Sequence, residues 1–167
     1  IPVDTEKVTG FMRFDAGDAI TFYESSQYKT LIVLAGRRIT MLADVLVYER
    51  DMFLEAGTDY AVSTVNLTAT YGSIRVQGDH SHKIYQKSPS IWTTGTDIVV
   101  GPPMEVSGES ELFFNSDLHA QGSGLVSFAA TANVTVISPA VNSVRIEASD
   151  LHLNSKLRAL DANVTIF

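Results

Sequence analysis

Apolar and polar residues alternate one by one along much of the chain. The alternation runs through Ile20-Thr21-Phe22, Ser73-Ile74-Arg75-Val76, Asn133-Val134-Thr135-Val136, Ser143-Val144-Arg145-Ile146 and Asn163-Val164-Thr165-Ile166. Successive side chains of an extended chain point to opposite faces, so this spacing puts β-branched and aromatic residues on one side and polar residues on the other. It predicts half-buried strands. Leu31-Ile32-Val33-Leu34-Ala35 is apolar throughout and predicts a strand buried more fully. Gly, Pro, Asn, Asp and Ser interrupt the pattern about every ten residues, the spacing of short strands joined by turns. The expected class is all-β. The architectures that fit are a β-solenoid-like stack, a β-sandwich or jelly roll, and, third, a closed barrel.

Residues 41–56 carry a second period. Leu42, Val45, Leu46, Met52, Phe53 and Ala56 fall on one helical face, interrupted by Glu49, with Thr40 as N-cap and Gly57 just past the end. The same residues also read as two strands, Val45–Tyr48 and Met52–Glu55, around a turn at Glu49-Arg50-Asp51. At most one helix is therefore expected. Residues 87–108 hold Pro89, Pro102, Pro103 and three glycines, and read as a loop or linker within a single β-rich domain covering 1–167.

An internal repeat is expected over 116–167. Ser116-Asp117-Leu118-His119 recurs as Ser149-Asp150-Leu151-His152, and Ala132-Asn133-Val134-Thr135 recurs as Ala162-Asn163-Val164-Thr165. The two words keep their order, and the second copy is slightly the shorter. Fainter copies reach back to Asp51 and Asn66. Stacked strand-turn units share one elongated core, and asparagines at recurring positions form hydrogen-bonded ladders. Asn66, Asn133, Asn142 and Asn163 are the candidates for such a ladder.

Composition narrows the function. The 167 residues are 45% hydrophobic, enough to bury a core without metal or disulfide. Lys plus Arg is 12 against 19 Asp plus Glu, a net charge of −7, and no Lys or Arg occurs from Ser88 to Val144. Nucleic acid and anionic membrane surfaces both require clustered cations, so neither is an expected partner. A divalent cation such as calcium remains a candidate; no cofactor is expected. The absence of Cys excludes thiol catalysis, disulfides and Cys-ligated zinc. No apolar run reaches the roughly eighteen residues of a membrane helix, and aromatics at 9% without girdles argue against a membrane barrel.

Several residues are candidates for chemistry. In a strand, His80 and His82 would share a face and hold a metal. Asp15 and Asp18, in an acidic turn, are candidate calcium ligands. Glu109-Ser110-Glu111 offers paired carboxylates of the kind glycosidases use. Tyr60, Tyr71, Tyr85 and Trp92 cluster in mid-chain, and Tyr85 with Trp92 form the candidate ligand-binding surface, since exposed rings stack on sugars. Asn66, Asn133 and Asn163 stand in Asn-x-Thr sequons and are glycosylation candidates if they face solvent. No nucleophile elbow, Walker loop, dinucleotide fingerprint or His-Glu-x-x-His motif is present.

The chain opens Ile1-Pro2-Val3 without Met, which leads us to expect a removed leader, and hence export, or a trimmed start. Its last strand, including Val164, Ile166 and Phe167, offers an edge for pairing with a neighbouring sheet, as does the segment of Ile1 and Val3. The expected function is a non-enzymatic structural protein that assembles with copies of itself, by β-strand pairing and stacking, into an extracellular, cell-surface or virion filament, fibre or shell. The alternative is a carbohydrate-binding module or adhesin domain with a glycan partner. A small β-fold hydrolase or lyase using acidic residues such as Glu111 is the third reading.

Overall fold

The computed structural model describes residues 10–63, 65–86, 89–107, 111–119, 122–137, 144–160 and 162–167. These residues form a β-solenoid with no helix. The chain winds through three strands per coil. The first coil is β1 (Phe11–Ala16), β2 (Ala19–Phe22) and β3 (Ser26–Tyr28); the second is β4 (Thr30–Ala35), β5 (Arg38–Met41) and β6 (Val45–Val47). Next come β7 (Met52–Ala56), β8 (Asp59–Val62) and β9 (Asn66–Ala69), then β10 (Ile74–Gln77), β11 (Lys83–Gln86) and β12 (Ser90–Thr94). The fifth coil is β13 (Asp97–Val100), β14 (Met104–Ser107) and β15 (Leu112–Asn115), and the sixth is β16 (Leu125–Phe128), β17 (Val134–Ile137) and β18 (Val144–Glu147). The last is β19 (Asp150–Leu153), β20 (Leu157–Ala159) and β21 (Val164–Ile166). Strands pair in parallel with their counterparts in adjacent coils, giving three seven-stranded sheets among the described residues.

Strict alternation explains the packing. Inward positions stack into continuous columns. One on the first sheet runs Met12, Leu31, Met52, Ile74, Ile98, Val126 and Leu151. On the second sheet, Ile20, Ile39, Tyr60, Ile84, Met104, Val134 and Leu157 form another. The third sheet contributes a column that begins at Ser26 and continues through Val45, Leu67, Trp92, Phe114, Ile146 and Ile166. At one end Phe14 meets Phe22 and Tyr28 edge-on, at 5.8 and 6.0 Å between centroids. Deeper in the stack Phe114 lies edge-on to Trp92 and Phe128. Gln86 occupies a core position between Val62 and Val106. It is satisfied by a buried chain in which the Trp92 indole donates to Ser90 Oγ at 3.1 Å and Ser90 donates to Gln86 Oε1 at 3.2 Å.

The corner between the first and second sheets is built on glycine. Gly17, Gly36, Gly57, Gly78 and Gly101 each directly follow a first-sheet strand. Gly36 N–H donates to Ala16 O and Gly57 N–H to Ala35 O, both at 2.8 Å. Coils approach so closely here that a Cβ on Gly36 would stand 2.2 Å from Gly17 O, and one on Gly57 2.0 Å from Gly36 O. Tyr60 braces the same corner from inside: its hydroxyl accepts from Ala56 N–H at 2.8 Å and donates to Gln77 O.

One open choice is resolved, and two expectations need correction. Residues 41–56 take the two-strand alternative, as β6 and β7, and not the helical one. Its apparent stripe mixes inward residues, such as Val45 and Met52, with residues on the outer face, such as Leu46 and Phe53. Residues 87–108 are not a linker, because β12, β13 and β14 lie within them; Pro89, Pro102 and Pro103 sit between strands, where no ladder N–H is needed. The repeated tetrapeptides do not mark the coil. Ser116-Asp117-Leu118-His119 follows β15, whereas Asp150, Leu151 and His152 lie in β19; Val134 is in the second sheet and Val164 in the third. The chain returns to the first-sheet column at Met12, Leu31, Met52, Ile74, Ile98, Val126 and Leu151, so every coil is shorter than the spacing of those tetrapeptides.

Candidate functional site

The outer face of the third sheet carries a trough. Its floor follows from the parity of two neighbouring strands. Trp92 points inward and is 1% exposed, so Ile91 must point outward, and it is 43% exposed. Leu112 and Phe114 point inward, so Glu111 and Phe113 point outward beside it. The register sets Asn66, Ile91, Phe113, Arg145 and Thr165 in one row crossing five strands. Together with Pro89, Val65, Ser90 and Leu112, the first four of these and Glu111 enclose a groove of about 400 Å³. A second hollow, of about 300 Å³, shares Asn66 and continues past Asp44, Leu46 and Gln27 towards β3.

Polar groups in the trough are held in place. The Arg145 guanidinium lies over the Phe113 ring at 4.7 Å and over the Phe167 ring at 4.8 Å. The two rings hold the cation between them while its N–H groups remain donors. One of those N–H groups reaches Glu147 at 3.4 Å. Asp44 accepts from the Asn66 backbone N–H at 2.7 Å and from its side-chain amide at 3.2 Å.

The expected site residues fare differently. Trp92 is a core residue and cannot stack on an external ligand. Tyr85 lies on the outer face of the second sheet with the Lys83 ammonium 4.9 Å from its ring centroid, so the two aromatics do not form one surface. Tyr71 is exposed and stacks on His119 at 5.0 Å, while Tyr60 is buried. His80 and His82 sit in the turn 79–82 rather than on a strand, so they lack the shared face a metal pair requires. There Asp79 Oδ1 accepts from Ser81 N–H and Ser81 Oγ–H and lies 3.0 Å from His82 Nδ1; these contacts hold the Asp79 carboxyl well below the ordinary range. Asp15 and Asp18 are each taken by an arginine, Arg13 at 3.1 Å and Arg37 at 2.7 Å. Among the described residues no three His, Asp or Glu side chains group as a metal set.

Asn66, Asn133 and Asn163 all face solvent, as glycosylation requires. They form no ladder: Asn66 lies opposite Ile91, and Asn133 accepts from Lys156 N–H. Asn142, Glu109, Ile1 and Val3 lie outside the described residues. Val164 is half-buried, whereas Ile166 and Phe167 are 53% and 65% exposed. Ile91, Phe113 and Arg145 escaped sequence reasoning, though the alternation that buries Trp92 also sets its neighbour outside. Comparison of the chain with family models, with curated proteins and with solved structures finds no match in any of the three.

Proposed function

We propose that this chain is a non-enzymatic structural element, a rod that joins with copies of itself into a filament, fibre or shell, in the extracellular or virion setting expected from the sequence. One observation carries the reading. Every coil offers the next the same parallel ladder and the same apolar columns. A further coil therefore meets on any coil the surface that its predecessor met. An unpaired row of backbone groups is a template for strand addition. Salt-bridged outer rows support a rod that stays soluble along its sides: Arg38 grips Asp59 through two bonds of 2.8 and 2.6 Å, and Lys83 meets Glu105 at 2.6 Å.

The test is absolute mass by light scattering over a hundredfold range of concentration. Growth of mass with concentration is the expected result. A strict monomer throughout the range overturns the proposal.

A further inference from the structure

We infer that the trough on the third sheet binds a neutral, linear hexose oligosaccharide lying along the rod axis. The strands that floor the trough have no free edge. β9, β12, β15 and β18 are paired on both sides, so an extended peptide cannot add as a strand. Recognition must come from side chains. Ile91 and Phe113, with Pro89 beside them, supply an apolar floor that suits the C–H face of a sugar ring. Three planar groups border it. Glu111 only accepts, Arg145 only donates, and Asn66, one of whose two amide N–H groups goes to Asp44, offers its carbonyl oxygen as an acceptor. Hydroxyls both donate and accept, so a polyhydroxylated ring matches this set.

Charge selects a neutral ligand. Among the described residues Arg145 is the one cation bordering the groove, and Glu147 at 3.4 Å together with Glu111 outweighs it. An anionic sugar would meet excess carboxylate. Shape selects a linear one. The two hollows share Asn66 and run from β3 to β18 across six strands, about 24 Å at the usual strand spacing of roughly 4.8 Å. A groove of some hundreds of Å³ is in the range of small-ligand sites. Two ring contacts and the bond to Glu147 already restrain the guanidinium, which lowers the entropy lost on binding.

Calorimetric titration tests this with cellohexaose, maltohexaose and β-1,4-mannohexaose, and with hexagalacturonate as the anionic counterpart. At least one neutral hexasaccharide is expected to bind saturably, and hexagalacturonate about tenfold more weakly or not at all. Ile91→Ala and Arg145→Gln each change an exposed residue and are expected to weaken binding by about tenfold or more without moving the unfolding midpoint. The inference is overturned if no neutral probe binds, if hexagalacturonate binds more tightly, or if binding survives both substitutions. It stands apart from assembly, because a monomeric rod carries the same trough.

Discussion

Gly57 and Gly17 occupy equivalent corners of different coils, and replacing each by alanine should have opposite effects. A Cβ on Gly57 would sit 2.0 Å from the carbonyl oxygen of Gly36. Unstrained heavy-atom contacts lie near roughly 3.5 Å, so the coils would have to part locally by about 1.5 Å. The obstacle is backbone and cannot rotate aside. Separation would also stretch the 2.8 Å bond from Gly57 N–H to Ala35 O. Overpacking of this kind costs about 1–3 kcal/mol, and loss of one backbone bond about 1 kcal/mol more. The sum, about 2–4 kcal/mol, lowers the melting midpoint of a chain this size by roughly 5–15 °C. At Gly17 nothing stands within 4 Å of the added carbon. There alanine restricts the unfolded chain and stabilises by about 0.4–1 kcal/mol. Thermal melts followed by circular dichroism, checked by urea midpoints, measure both variants. Equal midpoints for Gly57→Ala and Gly17→Ala would refute the reasoning, since the glycine column would then not set the coil spacing.

Further outcomes follow from the core. Trp92 fluorescence should resist quenching by acrylamide or iodide until the protein unfolds. Ser90→Ala, which deprives both the indole N–H and Gln86 of a partner, should destabilise by about 1–3 kcal/mol; ready quenching of the native protein would contradict the burial of Trp92. Burial pushes the Tyr60 hydroxyl up from 10.0 to about 12. A raised folded pKa gives stability that is complete below pH 10 and is lost as pH rises towards 12. Melting midpoints should therefore fall across that window, and Tyr60→Phe should flatten the fall while lowering stability at neutral pH by orphaning the Ala56 N–H.

The strands were legible because both faces of each follow the same rule. Val134 and Val136 lie inward, Thr135 outward, as the alternation requires. Where outward positions are also apolar the rule blurs. Leu46 and Phe53 filled the gaps between Val45, Met52 and Ala56 and imitated a helical stripe. The coil length was written in the chain, but not as identical tetrapeptides. Ala16-Gly17, Ala35-Gly36 and Ala56-Gly57 mark the same corner in each of the first three coils, set by the close approach of backbones there. The longer matches, from Ser116 to Ser149 and from Ala132 to Ala162, fall at different places in their coils. They reflect shared strand and turn chemistry rather than shared position. Trp92 shows the limit at a site. Its ring attracted a ligand-binding reading, yet only the fold reveals that the available surface belongs to Ile91 one position earlier.

The direction of the ladders has a mechanical consequence. Hydrogen bonds between coils point along the rod, so tension between its ends opens them one coil at a time instead of shearing many together. Resistance to pulling should be low and uniform. Each yielded coil would release about 65–95 Å of chain at roughly 3.4 Å per residue, the shorter figure for Met12 to Leu31 and the longer for Ile98 to Val126. Bending and crushing are opposed differently, by the stacked apolar columns of the core. Such an element tolerates side loads well and lengthens under axial load in discrete steps, more an unwinding spool than a stiff cable.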